Sequence, residues 1–218
     1  MTMVRTLTAV VLVAGLLLVG GGVSARQAAL STDTPTGLSE AEALDLQYLR
    51  DEEKLARDVY LYFAAIYNKP IFSDIAASEQ QHMDAVKTLL DRYNIEDPVA
   101  GLAEGEFHEK AHADYYRDLT AAGTPDPGEE LLVALEGALW AGATIEDLDI
   151  LDISEMLART DKGDLRTVYE NLIKGSRNHL RAFCDLLVSL YGHDYEAQFL
   201  DQEEVDAILA TDRETGKD

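Results

Sequence analysis

Residues 78–83 read Ser78-Glu79-Gln80-Gln81-His82-Met83 and lie in a segment, Phe72 to Tyr93, whose apolar residues recur at helical spacing. Glu79 and His82 are three residues apart, so on an α-helix their side chains leave the same face, about 60° from each other. That face is otherwise apolar: Phe72, Ile75, Ala76, Met83, Val86, Leu89 and Leu90. A buried carboxylate needs a partner, and a metal ion suits a carboxylate beside a neutral imidazole. A surface Glu beside a core His that is satisfied by hydrogen bonds is the alternative.

Periodicity and helix-breaking residues predict one all-α domain. The chain has 218 residues, of which 47% are hydrophobic, and no convincing alternating strand pattern occurs in it. A Ser39-x-x-Glu42 capping box opens a first helix that continues to about Tyr67 and ends before Asn68-Lys69-Pro70. The remaining helices are predicted at 72–93, 107–119, 129–158, 165–191 and 202–209. The short helix at 107–119 lies in a long crossover, 96–128, between two helical hairpins.

The first 25 residues have the pattern of an export signal. Arg5 supplies a positive charge, Leu7 to Val19 an apolar core, and Val23-Ser24-Ala25 a small-residue cleavage site. We expect cleavage after Ala25 and an exported protein in the periplasm, the cell envelope or the medium, and an uncleaved membrane anchor is the alternative. The predicted organisation is a signal peptide at 1–25, a flexible leader at 26–38, a helical bundle at 39–210 and a charged tail at 211–218.

The chain is strongly acidic, with 18 basic and 41 acidic residues and a formal net charge of -23. This charge argues against nucleic acid or an anionic membrane as a partner, and after signal cleavage we expect no membrane contact. It could attract metal cations, although composition alone does not separate that role from a solvated surface. The single Cys184 excludes an internal disulfide and is expected to be a small buried residue. The sequence leaves the oligomeric state open, with a homodimer as one option.

The two hairpins look alike when His82 is set against His179. His82-Met-Asp-Ala-Val-Lys-Thr-Leu-Leu then lies over His179-Leu-Arg-Ala-Phe-Cys-Asp-Leu-Leu. Glu53 and Glu146 each lie 15 residues before their hairpin turns, while the two histidines lie 12 and 16 residues after theirs. At about 1.5 Å per residue, all four are roughly 18–24 Å from the turns. We therefore expect them at one level in the core, as a metal cluster or as a buried polar layer held by hydrogen bonds.

This pattern resembles the ferritin-like di-metal carboxylate proteins. Those proteins have a four-helix bundle with one long crossover, and they take a Glu from each of two helices and a Glu-x-x-His from each of the other two. The resemblance covers about Ser39 to Tyr191. Within it, Arg50-Asp-Glu-Glu-Lys-Leu-Ala-Arg-Asp-Val-Tyr60 and Gly175-Ser-Arg-Asn-His-Leu-Arg-Ala-Phe183 are similar to the uncharacterised DUF2202 branch of that superfamily. The fold that the resemblance implies is a ferritin-like bundle with short accessory helices.

The resemblance also implies a set of site residues and one departure from the family pattern. Where the motif of the fourth helix would place a Glu, this chain has Ser176. Asp149, one turn from Glu146, is the expected replacement, Glu52 is a weaker candidate, and Glu170 faces the opposite side of its helix from His179. The departure predicts a weak or empty second metal position, or a pocket that Gly175 and Ser176 widen for a substrate. The implied metal ligands are Glu53, Glu79, His82, Glu146, Asp149 and His179.

The function that the resemblance implies is oxidase or peroxidase chemistry with dioxygen or peroxide. Oxygen and imidazole ligands suit iron, as a di-iron or mono-iron centre, or manganese, and zinc would also bind. Tyr60 takes the place of a catalytic proton or electron donor; a core aromatic residue with its hydroxyl paired is the alternative. Two other functions stay open. One is a metal store or carrier of the cell envelope without turnover, and the other is a structural bundle with a degenerate site.

The remaining histidines and Glu136 are expected outside this site. Glu136 is ten residues farther from its turn than Glu146, which places it about 15 Å farther along the helix axis than the expected site. His108 and His112 are four residues apart, but acidic neighbours predict a solvated helix face for both. His193 follows Gly192 at the end of a helix and is expected to cap carbonyl groups there.

Overall fold

The computed structural model describes residues 37–215, and within that range the regular structure consists of six α-helices without a strand. The predicted all-α bundle is therefore confirmed. The predicted signal peptide at 1–25, residues 26–36 of the predicted leader and residues 216–218 of the tail lie outside the described residues. None of the helices in the described part is long and apolar enough to cross a membrane. The helices are α1 (Glu40–Tyr67), α2 (Pro70–Arg92), α3 (Lys110–Ala122), α4 (Leu131–Arg159), α5 (Gly163–Tyr191) and α6 (Gln202–Leu209).

Two helical hairpins, α1–α2 and α4–α5, form the bundle, and their helices pack most extensively within each hairpin. The capping box starts α1 as predicted, because Ser39 Oγ accepts from the Glu42 amide while Glu42 Oε2 accepts from the Ser39 amide at 2.8 Å. Asn68 ends α1 in a left-handed conformation with φ of 47°. Helix α2 begins at Pro70, two residues earlier than expected, because proline is favoured in the first turn of a helix.

Hydrogen bonds at one end of the bundle join the two hairpins. There, Thr160 Oγ1 donates to Glu42 Oε1 at 2.6 Å and Arg159 donates to Asp45 Oδ2 at 2.7 Å, which joins the end of α4 to the start of α1. The α4–α5 turn therefore lies at the opposite end of the bundle from the α1–α2 turn. Residues near the middle of each helix consequently lie side by side in the interior.

Buried charges on α1 anchor the crossover. Lys54 Nζ donates to the Ala103 carbonyl at 2.7 Å and pairs with Asp58, whose Oδ2 accepts from the Gly105 amide at 2.9 Å. Farther along, Asp51 accepts from the amides of His108 and Glu109, the two residues before α3. Because these amides are bonded to Asp51, α3 begins at residue 110, three residues later than the periodicity predicts.

The prediction that His112 lies on a solvated face is wrong. Its side chain is 0% exposed, and its Nδ1 lies 2.7 Å from Asp51 Oδ2. His108 is exposed as expected, with 58% of its side chain accessible. Acidic neighbours in the sequence indicated solvent, but the acid that pairs with His112 comes from α1, which covers this face of α3.

Glu136 and His193 lie at one end of the bundle, where the side chain of His193 pairs with Glu136 across α4 and the end of α5. The backbone amide of His193 donates to the Leu187 carbonyl at 3.5 Å, so the predicted capping is made by the backbone. Cys184 is buried, as expected.

Candidate metal centre

Three carboxylates and two imidazoles from four helices converge midway along the bundle. Glu53 lies on α1, Glu79 and His82 on α2, Glu146 on α4 and His179 on α5. The three glutamates are 0% exposed, and each histidine side chain is 12% exposed. The structure thus brings together the residues that were expected at one level. The reason differs from the one expected, because the two turns lie at opposite ends of the bundle and the residues meet since each lies near the middle of its helix.

One group of ligand atoms is built around His82. Its Nδ1 lies 2.6 Å from Glu79 Oε2 and 3.2 Å from Glu53 Oε2. One ligand atom from each of these residues lies within 4.8 Å of the other two. Glu79 and His82 reach this position together because their three-residue spacing places them on one face of α2.

A second group is built around His179 and shares Glu79 with the first. His179 Nδ1 lies 2.8 Å from Glu79 Oε1 and 3.5 Å from Glu146 Oε2. The two oxygens of Glu79 thus face different histidines, whose rings stack with centroids 5.7 Å apart. The centre therefore consists of two similar halves, one from each hairpin, joined by the Glu79 carboxylate.

The unpaired oxygens of these carboxylates fit a site for cations. No hydrogen-bond donor reaches Glu53 Oε1 or either oxygen of Asp149, and both oxygens of Glu79 and Glu146 Oε2 face only the two imidazoles of the centre. Burying a carboxylate oxygen without a donor costs on the order of several kcal/mol. Cations placed among these acids would offset that cost, and the oxygen and imidazole atoms are of the kinds that iron, manganese and zinc bind.

The electrostatics of the cluster differ between its members. Burial and the charge of Glu79 raise the pKa of Glu53 to about 7, against the lowering effect of His82. Burial also acts against ionisation of Glu79, but His82 and His179 outweigh it and hold the pKa of Glu79 below its usual value. The pKa of His179 rises to about 10, because Glu79 and Glu146 overcome the lowering effect of burial. Binding of a divalent cation would therefore displace protons from the imidazoles.

Asp149 borders the centre without joining either group of ligand atoms. It is 1% exposed, and burial together with the charges of Glu52, Glu53, Glu146 and Glu79 raises its pKa well above the usual value. Glu52 turns instead to Asp152 of α4, with which it shares a hydrogen bond. Of the two candidates for the missing carboxylate, Asp149 is thus the one beside the three glutamates.

Gly175 and Ser176 do not open a pocket beside His179. A Cβ atom on Gly175 would lie 2.6 Å from His82 Nε2, so the imidazole fills the space that this glycine leaves. Ser176 is buried and donates its hydroxyl to the Leu172 carbonyl at 3.2 Å. The role of Gly175 was missed from the sequence, because only the packing of α2 on α5 shows which side chain lies against it.

Tyr60 is fully buried and touches the centre through its hydroxyl. The hydroxyl donates to Glu146 Oε1 at 2.5 Å, and its ring packs against Phe183 with centroids 5.3 Å apart. Burial and the charges of Glu146 and Glu79 raise the pKa of the phenol, so the group keeps its proton. It is thus a core aromatic residue whose hydroxyl is paired, and its partner is one of the candidate ligands.

Residues 42–212 match the family model described as "Uncharacterized protein domain (DUF2202)". The chain is 46% identical over 182 residues to uncharacterized protein MJ0754 of Methanocaldococcus jannaschii, covering 82% of this chain and 92% of that protein. A crystal structure of hypothetical protein MJ0754 from Methanococcus jannaschii superposes with a TM-score of 0.75 at 45% identity, over 81% of this chain and 96% of that one. The similarity to DUF2202 that the sequence motifs predict is thus confirmed, and the chain belongs to the DUF2202 family.

Proposed function

We propose that this protein binds two divalent metal ions, with iron as the main candidate, and uses them in oxidase or peroxidase chemistry with dioxygen or peroxide. The observation that carries the proposal is the position of Glu79 between two groups of ligand atoms, each completed by one Glu and one His. The resemblance to ferritin-like di-metal carboxylate proteins supports the redox chemistry. The export pattern at residues 1–25 supports action outside the cytoplasm.

Each half of the centre would hold one ion. Glu53 and His82 would bind the first ion, Glu146 and His179 would bind the second, and Glu79 would bind both. The charges also balance, because the carboxylates of Glu53, Glu79, Glu146 and Asp149 can offset two divalent cations. Asp149 would thus supply the negative charge that a Glu at position 176 would otherwise carry.

A bound pair of iron(II) ions would supply two electrons, one from each ion, for the reduction of dioxygen or peroxide. The protein residues supply position and exclusion of water. The glutamates have no solvent exposure, so a substrate that reaches the centre directly must be small. Tyr60 donates a hydrogen bond to Glu146 Oε1 at 2.5 Å and holds that carboxylate in place. Phe183 packs on the Tyr60 ring and keeps water away from that contact.

Metal analysis of Glu79→Gln tests this function. We expect two ions per chain in wild-type protein purified without chelator and loaded with iron anaerobically, and close to none in the variant, because both halves lose their shared ligand. Glu170→Gln is the matched control, since Glu170 lies on the surface and pairs with Arg166. Equal metal content in wild type and Glu79→Gln would disprove the site.

Peroxide addition to the iron-loaded protein tests the redox step. A change in the visible absorption spectrum that depends on peroxide and is absent from Glu79→Gln is expected for oxidase or peroxidase chemistry. Two bound ions without such a change would leave a metal store or carrier as the function. Wild-type protein that binds no metal would instead indicate a structural bundle.

A further inference from the structure

In the second half of α4, from position 146 to position 155, every third residue is acidic: Glu146, Asp149, Asp152 and Glu155. Three residues on an α-helix fall about 60° short of a full turn and rise about 4.5 Å, so such a row winds slowly around the helix. Glu146 and Asp149 are 0% and 1% exposed, Asp152 is partly buried, and the Glu155 side chain is 65% exposed. The row therefore leads from the candidate metal centre to the surface.

Glu52 of α1 faces this row from the opposite side. It is 1% exposed and shares a hydrogen bond with Asp152. Asp152 lies where three helices meet. Tyr48 of α1 donates its hydroxyl to Asp152 Oδ2 at 3.2 Å, and burial together with the charge of Asp152 raises the pKa of Tyr115 on α3. A row of acidic side chains bordered by two phenols thus lies between α1 and α4.

Glu52 and Asp149 differ from the buried acids that have a structural role in this chain. Asp147, which is also buried, accepts hydrogen bonds from the Tyr195 hydroxyl and from the amides of Gln198, Phe199 and Leu200. Asp149 receives none at either carboxylate oxygen, and Glu52 shares a hydrogen bond only with another acid, Asp152. Acids buried at this cost without donors have the properties expected of transient partners for a cation.

The histidine side of the centre is less suited to cations. His82 and His179 reach the surface between α2 and α5, with 12% of each side chain exposed. The basic residues of α5 on this side are paired with acids, such as Arg166 with Glu170 and Arg177 with Glu214, whereas the α4 row is acidic throughout. An approaching cation is therefore attracted more strongly to the acidic row. The basic residues of α5 are Arg166, Lys174, Arg177 and Arg181.

We propose that Glu155, Asp152, Glu52 and Asp149 form a route along which divalent cations pass from solvent, at the junction of α1, α3 and α4, to the buried centre. The inference rests on the proposed function, since the route needs a metal centre as its destination. It assigns to Asp152 and Glu155 a role in the rate of loading and none in the number of ions held.

The rate of cobalt loading tests the route. Co(II) is mixed with metal-free full-length protein in a stopped-flow instrument, and its visible absorption reports binding, while the final amplitude reports the number of bound ions. We expect Asp152→Asn/Glu155→Gln to load about tenfold more slowly at low salt, with an unchanged final amplitude. Wild-type loading should slow as salt increases, and loading of the variant should depend on salt less steeply.

A matched control removes two exposed acids from α5. Glu170→Gln/Asp185→Asn changes the net charge equally on α5, and we expect it to load at the wild-type rate. Glu155→Gln alone alters only an exposed side chain, so it keeps the fold, and its loading should be slowed less than in the double variant. Circular dichroism of each variant checks that the bundle is intact.

The outcomes separate the two proposals. Loading of the double variant at the wild-type rate, or equal slowing of the α5 control, would overturn the route while leaving the centre in place. A lower final amplitude in the double variant would also overturn it, because Asp152 would then be a ligand. Wild-type protein that binds no Co(II) would overturn the route and the proposed function together.

Discussion

At the scale of single residues, the space around His82 decides whether the first half of the centre can form. Its Nδ1 faces Glu53 and Glu79, while its Nε2 lies only 2.6 Å from the position that a Cβ of residue 175 would occupy. A glycine in a helix interior costs about 0.5–1 kcal/mol relative to alanine. Gly175 therefore lowers helix stability slightly and in return allows the imidazole to lie against α5.

Gly175→Ala should displace His82 and leave the other half of the centre intact. We expect the variant to bind one metal ion per chain in place of two. The gain in helix propensity, about 1 kcal/mol, and an overpacking cost of about 1–3 kcal/mol oppose each other in the metal-free protein. Metal content and the urea midpoint of the metal-free protein measure the two effects.

The control for this substitution is Gly163→Ala, because a Cβ on Gly163, in the same helix, would meet nothing within 4 Å. Two bound ions and a normal fold are expected there. In a His82→Ala background the clash is gone, so Gly175→Ala should cause no further loss of metal. Tight binding of two ions by Gly175→Ala alone would contradict the assigned role.

At the scale of elements, the chain after α6 is fastened to α5 close to the centre. Glu214 accepts hydrogen bonds from Arg177 at 2.7 Å and from Arg181 at 3.1 Å, and its amide donates to Asn178 Oδ1 at 2.8 Å. The hydrogen bond from Arg177 is the main cause that lowers the pKa of Glu214, from 4.5 to about 2. The tail that the sequence describes only as charged is thus docked in its described part.

The lowered pKa makes this contact sensitive to acid. A carboxylate whose pKa is depressed by folding stabilises the folded state fully above its unfolded pKa, here 4.5, and loses that effect as the pH falls to about 2. Glu214→Gln should therefore lower the free energy of unfolding at pH 6, and its difference from wild type should shrink below pH 4.5. Urea unfolding from pH 6 to pH 2 measures it, and a difference that stays constant over this range would contradict the assignment.

At the scale of the whole molecule, the candidate centre connects both hairpins, since Glu79 of one faces His179 of the other at 2.8 Å. An ion bound there and absent from the unfolded chain stabilises the fold by mass action. The gain is about 2.7 kcal/mol when the free metal is 100 times its Kd.

Metal should accordingly raise the melting temperature. For a domain of this size, the expected increase is roughly 5–10 °C, because each kcal/mol corresponds to about 2–4 °C. Addition of EDTA should reverse the shift, and Glu79→Gln should show none. Differential scanning fluorimetry with and without the metal measures it, and an equal shift in Glu79→Gln would place the stabilising ion elsewhere.

Much of this architecture is determined by the sequence itself. Apolar spacing, the Ser39–Glu42 capping box and the breaks near Asn68 and Asp161 define the helices to within a few residues. The Glu and His residues of both hairpins lie near the middle of their helices, which places them at one level although the two turns are at opposite ends of the bundle. Such features depend on the local geometry of the α-helix, which is the same in every protein.

Only the tertiary structure decides which side chain fills each space between helices. Periodicity puts Glu52 and Glu53 on neighbouring faces of α1, but the packing of α4 turns Glu52 toward Asp152, and His82 of α2 meets Glu53. In the same way, α1 rather than solvent pairs with His112. Local sequence determines the face on which a side chain leaves its helix, whereas its partner comes from a distant part of the chain whose position depends on packing.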